Sequence, residues 1–72
     1  MNDSYIVNTS SKIRSLLFKK GMSQAQLAKE VGMSPSVMSS RIHGKSIFSA
    51  QEIKNIAKVL SVSVDYLLFE GE

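Results

Sequence analysis

The stretch that decides the fold is Met22-Ser23-Gln24-Ala25-Gln26-Leu27-Ala28-Lys29-Glu30-Val31-Gly32-Met33-Ser34-Pro35-Ser36-Val37-Met38-Ser39-Ser40-Arg41-Ile42-His43-Gly44. It contains two helix starts and two helix stops. Ser23 followed by Gln26 is a capping box, in which the hydroxyl accepts from a first-turn N–H that the helix leaves unpaired. Leu27, Ala28 and Val31 fall on one helical face, and Gly32 supplies the left-handed residue that ends it. Ser34 is the next N-cap, and Pro35 stands at the first helical position, where its missing N–H costs nothing. Met38 and Ile42, four apart, face inward, and Gly44 stops the helix. Two helices of about eight residues joined by so short a turn must cross steeply. Leu27, Val31, Met38 and Ile42 then meet in the corner, where Ala28 is small enough to let the backbones approach. The other edge of the second helix, Pro35, Ser36, Ser39, Ser40 and His43, is left outside, flanked by Arg41 and Lys45. A helix of about 10–12 Å with a small-residue edge fits a major groove about 12 Å wide.

Upstream, Ile13, Leu16 and Leu17 predict a helix over about Ser11 to Lys20, closed by Gly21. Residues 1–9 have weak periodicity and read as a flexible arm, in which Tyr5, Ile6 and Val7 either pack on the domain or form a short strand. Downstream, Ser49-Ala50-Gln51-Glu52 is a second capping box, and Ile53, Ile56, Ala57 and Leu60 form the cleanest amphipathic stripe in the chain. Ser63 caps a last short helix containing Val64, Asp65, Tyr66, Leu67 and Leu68. Nothing alternates as a strand pair would. The expectation is an all-α, compact five-helix domain over 10–72, preceded by the arm.

Composition narrows the function. The chain has 72 residues, no cysteine, no tryptophan and one histidine. A disulfide scaffold, a cysteine zinc site and a thiol nucleophile are excluded. The longest apolar run, Tyr66 to Phe69, is far below the roughly 20 residues that span a bilayer, and Met1-Asn2-Asp3-Ser4 does not resemble a signal peptide. We therefore expect no membrane association and a cytoplasmic location, on the nucleoid when bound to DNA. His43 stands alone, so no metal or other cofactor is expected. No phosphate loop and no Ser–His–Asp arrangement is present, so an enzyme is not expected. The formal charge is +3, but it is uneven. Lys12, Arg14, Lys19, Lys20, Lys29, Arg41 and Lys45 face only Glu30 in the middle of the chain, whereas the last third is acidic. That asymmetry suits a polyanion on one surface, although uneven charge also serves solubility.

Met22 to Ser34 resembles the first half of the helix-turn-helix of phage Cro and CI repressors, the xenobiotic-response-element (XRE) family. Ser34-Pro35-Ser36-Val37-Met38-Ser39 with Ile42 and Gly44 resembles its recognition helix, and Ile53 to Leu60 with Val62-Ser63-Val64 its later helices. The likeness spans about Lys12 to Leu68 and implies a lambda-repressor-like DNA-binding fold. In style the chain is similar to temperate-phage Cro-like proteins of the anti-repressor (modulator-of-repression) kind.

The resemblance implies roles for individual residues. Gln24 matches the position that meets a phosphate at a helix N-terminus, where an anion is favoured. Ser34, Pro35, Ser36, Ser39 and Ser40 match the face presented to bases. His43, Lys45 and Ser46 match positions touching backbone or flanking bases. Lys12, Arg14, Lys19 and Lys20 add phosphate contacts only if their helix faces the duplex. Pro35 departs from the family pattern, which often has a long hydrogen-bonding side chain there. Serines discriminate poorly between bases, so direct readout would rest on Ser contacts, on Pro35 or Val37 against a thymine methyl, and on Arg41 or Lys45.

Two readings follow. In the first, the chain is a transcriptional regulator in a phage lysis–lysogeny switch, bound to a double-stranded operator, with a homodimer contact through Tyr66, Leu67, Leu68 and Phe69. In the second, the same face, with its apolar Pro35 and Val37 among serines, binds a cognate repressor and blocks that repressor's DNA binding. Each feature also has a plainer role: capping serines at 10, 23, 34, 49 and 63, methionines as core filler, and a C-terminal cluster that closes a thin core.

Overall fold

The structure, a computed structural model, describes the backbone of residues 4–69 and the side chains of 9–69. Five helices follow one another: α1 Ser4–Lys20, α2 Gln24–Val31, α3 Pro35–Ile42, α4 Ala50–Leu60 and α5 Val64–Leu68. No strand occurs among the described residues.

Four of the helices start as the serines predict. The hydroxyls of Ser23, Ser34, Ser49 and Ser63 accept from the N–H groups of Gln26, Val37, Glu52 and Tyr66. Each satisfies one of the orphan donors of a first turn. At α4 the box closes both ways, because the Ser49 N–H also donates to Glu52 Oε1 at 2.8 Å. The stops are equally regular. Met22, Met33, Lys45 and Val62 donate back to Leu17, Ala28, Ser40 and Ala57, each just past a left-handed residue: Gly21, Gly32, Gly44 or Ser61. These are Schellman closures.

The core lies where the helices converge. Ile13, Leu27, Met38, Ile42, Ile56, Leu60 and Leu67 are almost fully buried, with Leu16, Leu17, Ala28, Ile53 and Ala57 around them. The α2–α3 corner forms as expected: Leu27, Ala28, Met38 and Ile42 are buried, and Val31 is half-buried against them. α2 packs on α3 and α4, and α1 packs on α3 and α5.

One boundary differs from the sequence reading. The first helix starts at Ser4 rather than near Ser11, so Ser10, read as a cap, lies inside it instead. Residues 4–9, read as an arm with a strand as one option, are helical in backbone; the side chains of Tyr5, Ile6 and Val7 lie outside the described residues. The cause is that the inner stripe continues toward the N-terminus on hydroxyls. Thr9 and Ser10 are buried, and the periodicity argument counts only apolar residues. Thr9 Oγ1 donates to the Leu67 carbonyl and Ser10 Oγ to the Arg41 carbonyl, both at 3.0 Å, so neither polar group is buried unpaired.

Candidate nucleic-acid interface

The backbone breaks between α2 and α3 at Gly32–Ser34. Gly32 takes φ +75°, a left-handed conformation that L side chains rarely adopt, and nothing lies within 4 Å of where its Cβ would be. The requirement for glycine is therefore conformational, not steric. Buried Met38 and Ile42 fix the roll of α3 against α2.

The outer edge of α3 is graded. Ser34, Pro35, Ser36 and Val37 are exposed, with the Ser34 hydroxyl committed to its cap. Ser39 and Ser40 are half-buried. Ser40 Oγ lies 3.1 Å from Ser46 Oγ, and the Ser39 carbonyl lies 2.9 Å from His43 Nδ1. His43, Lys45 and Ser46 are exposed beyond the helix end. Gln24 is half-buried at the first position of α2, next to the Ser23 cap. The freest surface is thus the first turn of α3, continued by the 43–46 turn.

Arg41 holds the loop that follows α3. Its Nε donates to the Ile47 carbonyl at 2.9 Å and lies 3.2 Å from Glu52 Oε1. Glu52 thereby serves the α4 capping box and Arg41 together. Sequence reading found Arg41 and Glu52 separately but not their pairing. The signal available was an acid at the third position of a capping box, one loop away from an arginine.

The α1 cations divide into two groups. Lys19 and Lys20 are exposed at the helix end. Lys12 and Arg14, offered above as conditional phosphate contacts, instead reach main-chain carbonyls. Lys12 Nζ donates to Tyr66 O at 2.8 Å and sits 5.3 Å from the centre of the Tyr66 ring. Arg14 Nη1 donates to Ile42 O at 2.6 Å.

The apolar cluster at the C-terminus is also divided. Leu67 is fully buried and closes the core, whereas Phe69 is 63% exposed. Leu68 and Phe69, with Thr9, Ser10, Ile47, Phe48 and Ile53, line an open, mostly apolar groove of about 200 Å³. Among the described residues no helix is long and apolar enough to cross a membrane, and no group of three His, Asp or Glu could hold a metal ion.

Comparison with curated proteins gives no match. A family model described as helix-turn-helix matches residues 13–67, from the buried start of the α1 stripe to the buried residue of α5. The match contains the whole α2–turn–α3 unit, and with it the chain belongs to the helix-turn-helix family of Cro/CI (XRE) type, whose members are DNA-binding regulators.

Proposed function

We propose that this chain is a transcriptional regulator that reads a double-stranded operator with the first turn of α3, within a phage lysis–lysogeny switch. The observation that carries the reading is the pairing of a rigidly seated α3 with an exposed first turn: Met38 and Ile42 are buried while Ser34, Pro35, Ser36 and Val37 are exposed. Ser36, with Ser39 and Ser40 behind it, would meet base edges, and Pro35 and Val37 would lie against thymine methyls. Gln24 and the α2 N-terminus would sit on phosphate. Lys45, His43 and Ser46 would touch the flanking backbone, with Lys19 and Lys20 adding long-range attraction. The assignment to a phage switch follows from the resemblance to compact phage regulators. A homodimer through the C-terminal groove would let two copies bind paired half-sites.

A second reading has its own support. Arg41 is committed to Ile47 and Glu52, and α3 contains no other Arg and no Asn or Gln. An exposed Pro–Val pair ringed by serines suits a protein surface, so the same face would mask a cognate repressor.

One mixing assay separates the two. Labelled DNA from the regulatory region around the chain's own gene is titrated with the protein, with the adjacent regulator, and with both. For an operator-binding regulator, the protein alone shifts the fragment, with affinity falling steeply between about 50 and 200 mM salt. For an anti-repressor, it leaves the fragment free and removes the adjacent regulator from it. Ser36→Arg abolishes the second behaviour and is tolerated in the first. No preference over random DNA together with no effect on the adjacent regulator rejects both.

A further inference from the structure

We propose that α1 is a splint for the recognition helix and that Arg14 is a positioning residue rather than a phosphate ligand. The inference rests on the helix-turn-helix reading of α3 and goes beyond it by adding a residue outside the α2–α3 unit. Two neighbouring strips of α1 each grip the C-terminal end of another helix. Ser10 and Arg14, one turn apart, take the Arg41 and Ile42 carbonyls at the end of α3. Thr9 and Lys12 take the Leu67 and Tyr66 carbonyls at the end of α5.

Those carbonyls belong to the last turns of their helices, where the intrahelical ladder runs out and partial negative charge collects. A cation is favoured there on both counts. Arg14 thus neutralises the end of α3, and Lys12 does the same for α5 while lying over the Tyr66 ring. The two hydroxyls are buried, Ser10 to 1% exposure and Thr9 to 7%, so their bonds fix the distance between helices. The Ile42 carbonyl lies one residue before His43 and three before Lys45, where the chain turns toward its proposed backbone contacts. The Arg14 bond therefore sets where that turn points. It also uses a charge that the distribution along the sequence assigns to the DNA-facing surface.

The test uses the full chain with Arg14→Gln and a duplex that the wild-type chain selects from a random library. Affinity is measured across salt concentration, and amide exchange is followed in the free protein. The expected result is an affinity about tenfold lower, with the salt slope retained to within the roughly 0.9 that one phosphate contact contributes. Exchange speeds up at His43, Gly44 and Lys45, whose N–H groups close the end of α3, and is unchanged in α2 and α4. A slope shallower by about 0.9 with exchange unaltered would make Arg14 a phosphate ligand and overturn the proposal. Faster exchange throughout the molecule with affinity preserved would reduce its role to general stability and overturn it as well. If the wild-type chain selects no duplex, the operator reading fails, and exchange confined to residues 43–45 still decides whether the splint exists.

Discussion

Two left-handed residues show how much a single position carries. Gly32 and Ser61 close α2 and α4 with the same backbone hand, φ +75° and +60°. At Gly32 glycine holds this conformation without strain; at Ser61 a Cβ meets the following carbonyl, at a cost of roughly 1–2 kcal/mol. Gly32→Ala is expected to lower stability by about 1 kcal/mol with the exposed first turn of α3 intact in the folded protein, because the strain is local and no neighbour clashes. Ser61→Gly is expected to raise stability by about 0.5 kcal/mol, the relief of strain being partly offset by the extra freedom glycine gives the unfolded chain. Urea midpoints of the two variants check the pair; equal and opposite signs from those stated would mean that these turns are not set by backbone conformation. Stops of this kind were legible in advance, since Gly or Ser follows each stripe at the right distance. That Arg41 would be drawn to Glu52 was not, because its partner lies across a loop whose path the sequence does not fix.

At the scale of the element, α4 and the α2–α3 corner were readable and α1 only in its second half. The readable helices have apolar stripes and serine caps, which are local signals. α1 hides its first half because the positions that continue Ile13, Leu16 and Leu17 inward are Thr9 and Ser10, and what they bind is 58 and 31 residues away in sequence. Pattern arguments take a hydroxyl on such a stripe as an interruption; the folded chain uses it as a tie. Thr9→Val discriminates between these views, since it keeps the shape and removes the hydroxyl. If the hydroxyl only interrupts an apolar face, valine stabilises. If it ties α1 to α5, valine is expected to cost about 1–2 kcal/mol, because the buried Leu67 carbonyl loses its donor. Equilibrium denaturation measures the difference, and a stability equal to or above that of the wild type would remove the tie from the account of the fold. The candidate site shows the same limit. The order of residues along α3 predicted its exposed first turn, whereas the half-burial of Ser39 and Ser40 depends on Ser46 and on the turn beyond the helix.

For the whole molecule the question is how so small a body would discriminate one DNA site. Its longest dimension is 31 Å, close to the roughly 34 Å between half-sites one helical turn apart. Two copies on such a pair would be near contact, and each carries an apolar groove flanked by Ile47 and Phe69, both more than half exposed. The charge available for binding is smaller than the sequence count suggests. Lys12, Arg14 and Arg41 are spent on carbonyls and on Glu52, which would leave fewer phosphate contacts to each copy, so that a steep salt dependence would require two copies. If the copies act as a pair through this groove, occupancy of a paired site rises with about the second power of protein concentration, and the salt slope is about twice that of a single half-site. Ile47→Glu puts a charge into the contact while leaving in place the main-chain carbonyl that Arg41 of α3 holds, so it is expected to return both quantities to their single-copy values while binding to an isolated half-site is preserved. Titrations of paired and single half-site duplexes with each protein measure this. A wild-type chain that already binds the paired site with first-power dependence, or an Ile47→Glu chain that keeps the second power, would show that the groove does not join copies and that selectivity arises within one α3.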